Sequence, residues 1–343
     1  MYTFSIRIHH KYNDIILLTR GGYMDTRESI RESLQSFAEN VSRNCQELMQ
    51  ETARLACFVE DLLKYKDLYD TSTKDIDARY KRIGEAIMLF DEGDLYINAA
   101  SGFVPVDDRI KKELRLYEYA KPRLKDAWKK LRYCDEMWFF TVETLASGWV
   151  DYKYIAECLP ALEKIDLTQL NTMRLLRLNW FDIVNSVNDP ERKGAWSPFP
   201  FIEMFGQWTF SFHYPIYEDD NFKGAIVPHA VIEPMLEDSI YKSSEKMLAI
   251  HDDATLIGMN DSAAKVFKLE IYKSRFWTDL PEKITYVREK LNIMNNPSHD
   301  FMWLADTLRY QREFDFTIEG KDYRILKERV PEIGMNLVAL IDK

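Results

Sequence analysis

The feature that most constrains this chain is a series of residues spaced by threes and fours: Ile30, Leu34, Phe37, Val41, Cys45, Leu48, Thr52, Leu55, Val59 and Leu62. That is one stripe of a helix with a repeat close to 3.5 residues. Asp25, with Glu28 three positions on, makes a capping-box-like start, and the spacing predicts a helix over 25–66. Forty residues at 1.5 Å each make a rod about 60 Å long, more than one small domain can cover. Such a rod either spans two domains of its own chain or pairs with a second copy.

The remaining patterns alternate between helix and strand. A second helix is expected over about 74–90 and a third over 108–132, interrupted or kinked at Pro122. "DEGDLYINAASGFVPVDD" supplies turns around a short strand, and "EMWFFTVETLASGWVDY" reads as a strand followed by a turn. A helix is expected over 167–181. "NDPERKGAWSPFPF" is rich in turn formers, and "GQWTFSFHYPIY" is a strand ending at Pro215. "EDDN" then turns the chain into "FKGAIVPHAVI". The pattern recurs on a smaller scale: "MLAIHDDATLIGMN" is a hairpin, 262–291 holds short helices, and 312–342 reads as three alternating strands with turns at "EGKD" and "PEIG". An α+β architecture results, with two sheet-bearing units threaded on one N-terminal helix.

Composition removes several function classes. A length of 343 residues, 46% hydrophobic and 30% charged, suits a folded protein of two or more domains. The net charge of −10 argues against broad attraction to nucleic acid or anionic lipid. The four cysteines (Cys45, Cys57, Cys134 and Cys158) form no CxxC pair and read as reduced thiols. No HExxH, GxSxG or phosphate-binding glycine loop occurs. Hence no catalytic residue, metal site or cofactor is expected. No export signal or apolar run long enough to cross a bilayer is visible. A cytoplasmic location is therefore expected, with an extracytoplasmic sensor fragment as the alternative. Residues 1–24 differ in texture from the rest of the chain, and Met1 and Met24 both stand as possible starts.

Four stretches, in order, carry a family resemblance: "NWFDIVN" followed by "GAWSPFPFIE", then "WTFSFHYPIYEDDNFKGAIVPHAVI", "MLAIHDDATLIGMN" and "DFTIEGKDYRILKERVPEIGMNLVALID". Together they resemble the double Cache (dCache, tandem PAS-like) sensory domains of bacterial chemoreceptors and histidine kinases. After residues 1–24, which read as a leader, the resemblance implies the long helix (25–66), a membrane-distal-type PAS-like module with the ligand pocket (67–240) and a smaller membrane-proximal-type module (241–343). It also implies a non-enzymatic sensor that binds a small solute in the first module and signals by conformational change. The alternative is a protein–protein interaction module with a degenerate pocket.

The chain departs from that family where its amino-acid-binding members grip their ligand. Their arginine, two before the tryptophan of the pocket helix, corresponds to Leu178. Their pocket-loop tyrosine and aspartate correspond to Phe201 and Glu203, and the aspartate that holds the ligand's amine corresponds to His229. Without the arginine a carboxylate loses its bidentate partner, so an ordinary amino acid is not expected. The residues alone mark Trp180, Trp196, Phe199, Phe201, Glu203, His213 and His229 as candidates for the pocket. Aromatics beside a carboxylate suit a cationic solute, since a desolvated cation–π contact is worth about 2 kcal/mol. His213 and His229, if on neighbouring strands, approach each other. "HDD" at 251–253 reads as a turn. A homodimer through the helix at 25–66 completes the expectation.

Overall fold

The computed structural model describes residues 26–69, 72–83, 86–90, 95–99, 107–142, 146–150, 183–202, 208–267, 291–296 and 298–343. The leader, the helix expected over 167–181 and Cys158 lie outside the described residues. The chain is an α+β protein, a long N-terminal helix succeeded by two antiparallel sheets.

Helix α1 (Thr26–Lys64) buries its stripe along its whole length, with Leu34, Val41, Cys45, Leu48, Val59 and Leu62 all withdrawn from solvent. The partners lie in the same chain and belong to both sheets: Phe210, Phe212 and Ile226 of the first, Leu326, Val330 and Leu337 of the second. The rod therefore spans two sheet-bearing units. The stripe is covered within the chain, so a second copy cannot use it. The opposite face carries exposed Glu28, Glu32, Gln35, Glu39 and Arg43.

After α2 (Ile76–Arg79) come β1 (Tyr80–Ile83), β2 (Ala86–Phe90) and β3 (Leu95–Ala99). Helix α3 (Asp108–Lys130) is next, then β4 (Cys134–Thr141), β5 (Ala146–Val150), β6 (Ala195–Trp196), β7 (Phe201–Ile202), β8 (Trp208–Glu218) and β9 (Asn221–Val231). The first sheet is ordered β1-β2-β3-β5-β4-β9-β8-β6, with β7 also paired to β8. After α4 (Glu233–Leu236), β10 (Lys246–His251) and β11 (Leu256–Met259) form the second hairpin. Beyond them lie α5 (Asp261–Phe267), α6 (His299–Tyr310), β12 (Glu313–Ile318), β13 (Lys321–Val330) and β14 (Met335–Asp342). The second sheet runs β11-β10-β14-β13-β12. One of its faces packs on α1, and the other packs on α5 and α6, where the rings of Phe267 and Phe301 stack at 4.8 Å.

Four expectations are corrected. The helix expected over 74–90 is one short turn leading into β1 and β2. "AIMLF" is a strand paired on both sides, and so short an apolar run has no periodicity to separate strand from helix. The stretch "EMWFFTVETLASGWVDY" is two paired strands, β4 and β5, not one. Helix α3 is not interrupted at Pro122 but continues to Lys130. Strand β8 continues through Pro215 to Glu218. Ser197 N–H donates to the Ser211 carbonyl at 2.7 Å, so the backbone of Ser211 faces the β6 side, and by alternation so does that of Pro215. Strand β6 ends opposite His213, so among the described residues no strand pairs with that side of Pro215. The turn expected at "EGKD" is present, with Glu319 and Gly320 at φ 49° and 79°, as a two-residue hairpin favours.

Candidate functional site

Alternation along β8 sends its side chains to two unlike environments. Phe210, Phe212 and Ile216 join the core against α1. The intervening Thr209, Ser211 and His213 face the other way, each no more than 1% exposed. His229 is the register partner of Ser211 on β9 and is 3% exposed, so it shares that face. The Ser211 hydroxyl lies 2.7 Å from Nε2 of His213. On the next strand Trp138 lies 6.2 Å, ring centre to ring centre, from His229, and Glu136 takes the register position opposite His229. An apolar patch of Val184, Ala225 and Val227 adjoins Trp138 on this side. The β8–β9 ladder lapses between the Ser211–His229 and Tyr214–Ile226 pairs, where Pro228 has no N–H to give.

The edge of this face is built by residues 189–202. Asp189, buried, accepts from the backbone N–H groups of Lys193 (3.0 Å) and Gly194 (2.8 Å) and so closes the loop into β6. Gly194 has φ 75°, and a Cβ there would meet the His213 carbonyl oxygen at 2.6 Å; only glycine lets β6 lie this close to β8. Arg192 lies 3.8 Å over the Tyr217 ring and pairs with Asp220 at 2.9 Å. Glu60 of α1 accepts the Tyr217 N–H at 2.9 Å, which ties the helix to β8. Burial pushes the Glu60 carboxyl above its ordinary range, opposed by that hydrogen bond and by Arg192.

The candidates named from sequence divide among several places. His213 and His229 lie on one face of adjacent strands, with His213 hydrogen-bonded to Ser211. Trp196 pairs with Phe212, their rings 5.2 Å apart, and packs on the α1 side, across the sheet from the histidines. Phe199 is 44% exposed and its ring centre is 6.1 Å from that of His251. Phe201 takes the register position opposite Thr209. Trp180 and Glu203 lie outside the described residues. Sequence reasoning passed over Thr209, Ser211 and Trp138. Polar residues at every second position of "WTFSFHY", alternating with aromatics, carry the signal for the first two.

It also passed over His251. This residue ends β10, is 7% exposed and rests on Phe210 of the first sheet with ring centres 5.8 Å apart. Two open surface grooves lie elsewhere. One, of about 360 Å³ between α1 and α3, is floored by Leu55 and Phe58; the other, of about 470 Å³, lies beside Tyr323. Acidic and basic side chains are mixed around both. Among the described residues no His, Cys, Asp and Glu side chains cluster as a metal site, and no helix is long and apolar enough to cross a membrane.

No family model matches the chain, and no curated protein matches it. Solved structures are similar over most of its length at low identity. An extracellular ligand binding receptor from Desulfohalobium retbaense is 10% identical over 91% of this chain and 40% of its own, with a TM-score of 0.44. The ligand-binding domain of the Pseudomonas aeruginosa PAO1 amino acid chemoreceptor PctC, solved with GABA, is 10% identical over 93% of this chain and 100% of its own, with a TM-score of 0.47. The extracellular domain of the histidine kinase mmHK1S-Z3 is 8% identical over 92% and 94%, with a TM-score of 0.49. A chemoreceptor ligand-binding domain and a histidine kinase extracellular domain are thus among the structures similar to this chain.

Proposed function

We propose that this chain is a non-enzymatic sensory module that binds a small solute against the polar face of the first sheet and signals through α1. The observation that carries the reading is the burial of Thr209, Ser211, His213 and His229 on one sheet face. Hydroxyls and imidazoles side by side offer both donors and acceptors, so this face can match a solute that carries hydrogen-bonding groups of its own. In this reading the first module covers 67–240 and the second 241–343, and Trp180, Phe201 and Glu203 complete the chamber beside the histidines.

The solute is not a standard amino acid, because Leu178 stands where the resembled family has its carboxylate-gripping arginine. A cationic solute is the first class to test, since the segment 196–208 carries three phenylalanines and two tryptophans around Glu203 and no lysine or arginine. The module is extracytoplasmic in this reading, as the similar structures described as extracellular are; the cytoplasmic expectation gains no support from them. A homodimer through α1 would use the polar outer face, because the apolar stripe is occupied.

The test is a thermal-shift panel of cationic, neutral and anionic solutes on the whole chain. A binder at a hundred times its dissociation constant adds about 2.7 kcal/mol. The shift should disappear in Ser211→Ala and His229→Leu. If no class raises the melting temperature, the sensory reading fails, and a pull-down that recovers one stable partner would favour the interaction-module alternative.

A further inference from the structure

We propose that Phe199 and His251 form a second coupling route between the two sheets, separate from α1. Three observations carry this. First, the register with β8 slips by two residues between Trp196, opposite Phe212, and Phe201, opposite Thr209. The residues between include Pro198 and Pro200, which have no N–H for a ladder, so the edge bulges and presents Phe199 away from the strand. Second, the ring so presented meets His251, which also rests on the fully buried Phe210.

Third, His251 is held firmly by the second sheet. Its N–H donates to the Thr255 carbonyl at 2.8 Å, and Nδ1 lies 2.8 Å from an oxygen of Asp253. Gly334, at φ 58°, passes so close that a Cβ there would lie 3.1 Å from His251 Nε2. The neighbouring Asp252 accepts from Arg329 at 2.5 Å and from Asn336 at 2.9 Å, which ties this turn to β13 and β14. One ring thus belongs mechanically to the second sheet, and the other to the edge segment that pairs with the polar strand of the first. A displacement of 195–202 presses on His251 and moves the β10–β11 and β13–β14 turns. The ring contact stands whether or not a solute binds; only its use in sensing rests on the proposed function.

Coupling is reciprocal, so it is read from both ends without ligand. Hydrogen exchange is measured in the whole chain for Phe199→Ala and His251→Leu. Phe199→Ala should speed exchange at 251–255 and 331–336 by about fivefold or more, the lower end of typical inter-site coupling. His251→Leu should do the same at 195–202. Amides of α6 should keep their wild-type rates, which excludes general loosening. If each variant changes exchange only in its own segment, or if α6 accelerates equally, the route does not exist. Should Phe199→Ala fail to fold, Phe199→Leu removes the ring while keeping apolar bulk. A failed solute panel with coupled exchange would sink the sensory reading alone, and the converse would sink this route alone.

Discussion

Ser211 and His213 sit two residues apart on β8, and the Ser211 hydroxyl lies 2.7 Å from Nε2 of the His213 ring with both side chains buried. Removing the hydroxyl takes a partner from a ring nitrogen that water cannot reach. Ser211→Ala should therefore cost about 1–3 kcal/mol in urea unfolding. The double variant Ser211→Ala/His213→Leu removes both partners together and should cost no more than the single one. A double variant that is worse by the sum of two independent losses would show that the pair is not coupled.

The stripe of α1 makes a second prediction. Leu34 is fully buried in the core cluster that α1 shares with both sheets. Leu34→Ala should cost about 2–5 kcal/mol, whereas Glu39→Ala on the outer face should stay within about 0.5 kcal/mol. Because one core cluster joins α1 to both sheets, probes in the two sheets should report the same shifted midpoint. Separate midpoints would contradict the shared rod.

Two glycines with similar φ should respond differently to alanine. Gly320, at φ 79°, has nothing within 4 Å of an added Cβ, so Gly320→Ala should cost only the strain of a left-handed backbone, about 1–2 kcal/mol. Gly194, at φ 75°, would place its Cβ against the His213 carbonyl and the rings of Phe212 and Tyr214. Gly194→Ala should cost clearly more and loosen exchange at 211–214. Equal costs would mean that β6 can retreat freely from β8.

Glu60 supplies a pH test. Burial holds its carboxyl above the ordinary value of 4.5 while the chain is folded. The folded state then keeps this proton longer than the unfolded one. Stability therefore falls as pH rises from about the ordinary value through the raised one. Glu60→Gln keeps an acceptor for the Tyr217 N–H and loses the titration. Wild type should lose stability relative to Glu60→Gln as pH is raised from about 4 to about 7 in thermal melts. A gap that stays constant or moves the other way would place the shift elsewhere.

Periodicity and turn chemistry determined much of this protein from sequence alone. The stripe from Ile30 to Leu62 specifies α1, because a 3.5-residue repeat makes one apolar face only as a helix. The alternation and turn residues from 313 to 342 specify β12, β13 and β14 in the same way, since period two and a positive-φ "EG" pair have few other solutions. Both are local rules, satisfied by neighbours in the chain. The partners of elements were not local. That α1 spends its stripe on two sheets and not on a second copy was decided by tertiary packing. So was the position of Trp196, which comes from pairing with Phe212 and not from its own neighbours. His251 reads as part of a turn until β10 and β14 bring it onto Phe210. Strand register decides which face a side chain takes, and a one-residue change reverses it. The sequence can therefore name the polar residues of "WTFSFHY", while only the folded sheet sets His229 beside them.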